Sequence, residues 1–83
     1  MNWYVYAIIS EVDGRIYVGM SSDVFKRVNQ HNAGKTKSTK AYRPWRLIFE
    51  ELVDSRAEAR KRELYFKSGV GKEYLKSIVE SAP

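Results

Sequence analysis

Tyr6, Tyr17, Arg27 and His31 are the side chains of this sequence whose types could jointly do acid–base chemistry beside a negative charge. They are two phenols, one permanent cation and the chain's only imidazole. A phenol ionises near pH ~10 and an imidazole near ~6.5, while a guanidinium stays charged throughout. The set therefore covers a proton acceptor, a proton shuttle and a group that neutralises developing negative charge. Singly, each has a plain structural explanation: tyrosines are routine in half-buried strands, an arginine can snorkel, and a histidine can simply hydrogen-bond. The question is whether the fold brings them together. Glu63 adds a carboxylate, the donor type that hard divalent cations prefer. By composition alone it is no better a ligand than Glu58 or Glu73, and its neighbours Leu64, Tyr65 and Phe66 leave its direction open.

The elements that must position these groups can be read along the chain. Trp3–Ser10 is aromatic, β-branched and uncharged, so it reads as a strand. Asp13-Gly14 is a turn signal, and Arg15–Met20 reads as the returning strand. Ser21 or Ser22 can cap a helix over about residues 23–32, with Asp23 at its positive end and Gly34 as its stop. A basic loop follows, with Arg43-Pro44 as a boundary, and then a third strand, Trp45–Val53. Ser55 and Glu58 have capping-box spacing before a helix over about 55–67. "SGVG" breaks the chain, and Lys72–Glu80 forms a short last helix. The expected architecture is a single α+β domain over residues 1–83: a small three-stranded antiparallel sheet packed with helices, in the order β-β-α-β-α-α.

Strand alternation sets the geometry of the two phenols. A two- or four-residue hairpin loop puts Tyr6 and Tyr17 on the same face, whereas a three-residue loop separates them. With the loop Glu11–Gly14, Tyr6 faces Gly19, Tyr17 faces Ile8, and the glycine leaves space beside the rings. On the first helix, Val24, Arg27, Val28 and His31 share the i, i+3, i+4, i+7 face. Val24 and Val28 should pack on the sheet, which brings Arg27 and His31 to the edge of that inner face near the phenols.

Composition narrows the partners. The chain is 43% hydrophobic and 30% charged, with no cysteine, so disulfides and thiolate metal sites are excluded. That cysteine usage suits a cytoplasmic protein. One histidine cannot build a multi-histidine metal site. No run approaches the ~20 apolar residues of a membrane span, and the first residues lack the pattern of a signal peptide. The formal charge of +5 favours a polyanionic partner. Residues 35–46 carry Lys35, Lys37, Lys40, Arg43 and Arg46 with no acid among them and with Tyr42 and Trp45 interleaved. Such a stretch suits nucleic acid, cations meeting phosphates and rings stacking on bases. Equally, it suits a solvated loop whose Trp45 enters the core.

Taken in order, these residues resemble the GIY-YIG nuclease superfamily, which includes the nuclease domain of the bacterial excinuclease C subunit. The first motif reads "VYA" at residues 5–7, keeping only the tyrosine, and the second reads "YVG" at residues 17–19. The steps from Tyr6 to Tyr17 and on to Arg27 fit, and His31 falls where the family has histidine or tyrosine. "EARKRE", residues 58–63, looks like the segment that ends in the family's metal-binding glutamate. The match runs from about residue 3 to 67 and is closest to the small standalone bacterial members. Many nuclease members carry a late asparagine beyond that helix; here asparagines occur only at 2, 29 and 32.

The resemblance implies hydrolysis of DNA phosphodiester bonds, with RNA also open, assisted by one Mg²⁺ or Mn²⁺ ion on Glu63. Arg27 would neutralise the phosphate. Tyr17 is the first choice for general base, with Tyr6 orienting water or phosphate and His31 as an alternative proton acceptor. Gly19 would keep the pocket open. The five cations of residues 35–46 would hold the backbone, and a protein partner could supply targeting. The rival implications are a binding module of the same fold without catalysis and, more remotely, an adaptor for an acidic protein.

Overall fold

A computed structural model describes residues 2–81. Three strands, β1 (Trp3–Ser10), β2 (Ile16–Ser21) and β3 (Trp45–Val53), form an antiparallel sheet in the order β2-β1-β3. Helix α1 (Val24–Asn32) lies against one face; α3 (Arg56–Lys67) and α4 (Gly69–Ser81) lie against the other. The α+β reading and the order β-β-α-β-α-α hold, apart from one short added helix.

The alternation of β1 builds two cores. Val5 and Ala7 join Val18, Ala59, Phe66 and Leu75 beneath α3 and α4. Tyr6 and Ile8 join Val24 and Trp45 beneath α1. The hairpin has the four-residue loop, since the Ser10 amide donates to the Arg15 carbonyl at 2.9 Å. Tyr6 therefore stands opposite Gly19, and Ile8 opposite Tyr17. Ile48 is the extra residue of a bulge in β3 between the partners of Ala7 and Ile8.

The structure corrects the sequence reading at several boundaries. Asp23, not Ser21 or Ser22, caps α1, its carboxylate accepting from the Lys26 amide, while Ser21 accepts from the Asp23 amide. Gly34 does lie just past the helix, with φ +78° and its amide on the His31 carbonyl. The stretch read as a loop contains a one-turn helix, α2 (Lys37–Lys40). Ser55 caps α3, but Glu58 pairs with Lys61 rather than closing a capping box. Only Ser68 interrupts the chain between α3 and α4, because its extended backbone (ψ 167°) turns the direction. Gly69 and Gly71 are helical, against the expectation that they break the chain. Gly71 is where the helices touch: a Cβ there would collide with the backbone of Tyr65 and Phe66. The sequence signal of a breaker was in fact the signal of a close crossing.

Candidate active site

Tyr6, Tyr17, Arg27 and His31 do converge on the α1 face of the sheet. The hairpin register brings both phenols to one side, and one helical turn separates Arg27 from His31. The Tyr6 hydroxyl lies 2.8 Å from His31 Nε2, and Tyr6 and His31 are only 1% and 0% exposed. The Tyr17 ring meets the His31 ring edge-on at 5.0 Å between centroids, and Tyr17 remains half-buried. Gly19 is essential to this arrangement, because a Cβ there would stand 2.6 Å from the Tyr6 hydroxyl oxygen. The half-buried Arg27 donates to Gln30 Oε1 at 3.0 Å.

Burial and charge polarise this cluster. His31 is pushed down to about 4, chiefly by burial and then by the Arg27 charge, so it is neutral near pH 7. Tyr6 is pushed up to about 12, first by burial and then by Tyr17, against a smaller pull from Arg27. The Glu63 charge adds a small further upward push. At neutral pH the pair is thus an uncharged phenol beside an uncharged imidazole, with a cation at its side.

Glu63 lies on the other face of the sheet. It stands on α3 between Ala59 and Phe66, is 8% exposed, and lines a concavity with Met20, Arg56, Ala57 and Arg60 beside β2. Both carboxylate oxygens are engaged, one by Arg60 at 2.7 Å and the other by Lys67 at 3.2 Å. Among the described residues no three His, Asp or Glu side chains gather as a metal cage. A single, nearly buried carboxylate opening into a concavity does fit an ion that keeps most of its water, as Mg²⁺ commonly does. Lys67, one turn from Glu63, is legible from spacing alone, whereas Arg56 and Arg60 beside this carboxylate are not among the sequence candidates.

Residues 35–46 divide between surface and core. Lys35, Lys37, Lys40, Arg43 and Arg46 are all exposed. Arg43 donates to the Lys40 carbonyl, and Arg46 lies 3.5 Å from Glu11. The aromatic half of the nucleic-acid reading fails here. Trp45 is 5% exposed and packs in the core, and Tyr42 is half-buried beneath the Arg15 guanidinium, 3.4 Å from its ring centroid. Neither ring is a free stacking platform. Asn32 uses both ends of its amide to clasp the Trp45 backbone, and Asn29 lines a separate groove with Phe25, Leu47 and Glu50.

Two phenols, a neutral imidazole and an arginine thus share one sheet face, and a nearly buried carboxylate lies on the other. Comparison with known proteins supplies the class. The family described as the GIY-YIG catalytic domain matches residues 2–75, and the chain belongs to this family. Within it, the chain is similar to small bacterial proteins named UPF0213. One from Staphylococcus saprophyticus is 40% identical over 78 residues, covering 93% of this chain and 94% of the relative. Another from Staphylococcus aureus is 38% identical over 78 residues with the same coverage. The solution structure of a UPF0213 protein from Bacillus halodurans superposes with a TM-score of 0.57 at 37% identity, covering 94% of this chain and 85% of that one. No helix among the described residues is long and apolar enough to cross a membrane.

Proposed function

We propose that this chain is a divalent-metal-dependent endonuclease that hydrolyses DNA phosphodiester bonds. The carrying observation is the Tyr6–His31 hydrogen bond, buried beside Tyr17 and Arg27 on the face that Gly19 opens. An uncharged buried phenol–imidazole pair next to an arginine suits chemistry in which negative charge develops nearby.

In this reading Arg27 contacts the scissile phosphate and offsets the charge that builds on it. Tyr17, the more accessible phenol, takes the proton of the attacking water. Tyr6 and His31 hold the neighbouring polar positions fixed. Glu63 would hold Mg²⁺ or Mn²⁺, which when bound supplies Lewis-acid stabilisation of the leaving oxygen. Binding it requires Arg60 and Lys67 to release the carboxylate. Lys35, Lys37, Lys40, Arg43 and Arg46 hold the nucleic-acid backbone without reading sequence. A cytoplasmic role in DNA repair or recombination, on branched or damaged DNA and with a targeting partner, follows as the biological setting.

One observation favours a second reading, a binding module of this fold without cleavage. The asparagines at 29 and 32 are placed elsewhere, Asn32 with its amide fully used, so neither stands in for the late asparagine of many nuclease members. The test uses labelled single-stranded, duplex, flap and branched DNA, with parallel RNA substrates, in Mg²⁺, Mn²⁺ or EDTA. Metal-dependent nicking that disappears in both Glu63→Ala and Arg27→Ala supports the nuclease. Binding with no cleavage in either metal supports the module.

A further inference from the structure

We propose that Thr39 is a positioning residue: it fixes His31 in the tautomer protonated on Nδ1 and thereby commits Tyr6 to donating its hydroxyl proton to Nε2. The inference extends the reading given under Proposed function, and it rests on the buried geometry of the His31 ring.

Thr39 Oγ1 lies 2.8 Å from His31 Nδ1 and 3.3 Å from the carbonyl oxygen of Thr36. Thr39 and His31 are both 0% exposed, so the contact between them is closed to bulk water. A hydroxyl has one proton to give. The Thr36 carbonyl can only accept. If Thr39 gives its proton there, it must receive one from Nδ1–H. The Nε2 lone pair then faces Tyr6, whose hydroxyl donates across 2.8 Å. In the opposite arrangement Thr39 would turn its proton to Nδ1. Its lone pairs would then face the Thr36 carbonyl oxygen at 3.3 Å with no proton between the two oxygens, which is the less favourable state.

The direction of the chain has a consequence for the pocket. With its proton given to His31 Nε2, the Tyr6 oxygen can only accept hydrogen bonds from groups in the pocket, whereas Tyr17 carries no such commitment. The two phenols are thereby given different roles. Thr39 also sits between Lys37 and Lys40, and its carbonyl accepts from Trp45 Nε1 at 2.9 Å. The segment proposed to hold phosphates therefore carries, on its buried side, the group that orients the imidazole.

His31 is the only histidine, so long-range ¹H–¹⁵N correlation spectra of labelled protein report its tautomer without ambiguity. The wild type at neutral pH is expected to show the Nδ1–H tautomer. Thr39→Ser should preserve it, and Thr39→Val should shift the population toward Nε2–H. A dominant Nε2–H form in the wild type would overturn the proposal, and so would a folded Thr39→Val protein with an unchanged spectrum. Should Thr39→Val not fold, the wild-type spectrum alone decides. In DNA cleavage, Thr39→Val should lower kcat about tenfold or more with KM little changed, and Thr39→Ser should restore it. A protein that cleaves nothing yet shows Nδ1–H sinks the nuclease reading and leaves this one standing. A cleaving protein with Nε2–H does the reverse.

Discussion

Gly19 and Tyr6 face each other across the β1–β2 pair, and the glycine's missing Cβ is the space in which the Tyr6 hydroxyl meets His31. Tyr6 cannot retreat, because its ring is buried and its hydroxyl is held. Gly19→Ala should therefore destabilise the fold by about 1–3 kcal/mol, the usual range for overpacking a core. It should also break the Tyr6–His31 bond. Urea unfolding and the His31 ring shifts measure the two effects; unchanged values in both would mean that the ring can move aside.

Gly71→Ala should cost more, about 3 kcal/mol or beyond, since there the added methyl meets backbone rather than a side chain. The loss should fall on the α3–α4 crossing. Hydrogen exchange would show the amides of α4 opening first, and uniform loosening of the whole sheet would contradict that picture.

His31 gives stability a defined pH dependence. Its folded value is lowered from 6.5 to about 4, so the fold holds it neutral while the unfolded chain protonates first. Between these values the unfolded state binds more protons, and stability rises with pH. The contribution is complete above about 6.5 and is lost as pH falls through about 4, amounting to roughly 3 kcal/mol by the linkage relation. Tyr6, raised to about 12, acts oppositely: its contribution is complete below about 10 and is lost through about 12. Denaturation of wild type and His31→Gln between pH 7 and 4 isolates the first effect. The difference between the two curves should shrink toward acid.

Metal affinity should depend on the cations that hold Glu63. Replacing Arg60 and Lys67 together by Gln removes two partly exposed ion pairs, each worth ~0.2–1 kcal/mol. Manganese binding followed by electron paramagnetic resonance should then tighten by about two- to thirtyfold in the absence of DNA. Glu63→Gln should abolish it. Tightening without any dependence on Glu63 would put the ion elsewhere.

Lys37→Ala and Lys40→Ala should each weaken binding to every DNA sequence alike and reduce the salt slope by about one unit. Arg46→Ala should reduce it less, because Glu11 already faces that guanidinium. Fluorescence anisotropy across a salt series reads all three, and an affinity indifferent to salt would remove these residues from the interface.

How much of this was legible in the sequence differs by element. For Tyr6 and Tyr17, strand parity reduces the question of convergence to the length of one turn, which the sequence leaves open and the Ser10–Arg15 hydrogen bond settles. The full burial of His31 was not: helical spacing placed it at the edge of the inner face, and it is the four-residue α2 that seals it. No periodicity marks a contact between a helix and a single turn eight residues later, so Thr39 left no trace. Trp45 allowed two readings because basic, aromatic sequence looks the same whether a ring points out or in. Gly71 reads as a breaker for a related reason, while Gly69 meets nothing nearby and simply opens the helix. Glycine weakens a helix, but it also permits the closest approach between helices, and only the neighbouring backbone distinguishes the two.

The two cores on either side of β1 have an evolutionary consequence. The phenols and the imidazole are anchored in the Trp45 and Val24 core, whereas the carboxylate rides on a helix anchored by Ala59 and Phe66. On the function proposed above, substitutions that accumulate around α3 would erase the cutting half of the domain while leaving the grasping half folded. A scaffold so divided would drift from scissors to clamp by a few changes on one face.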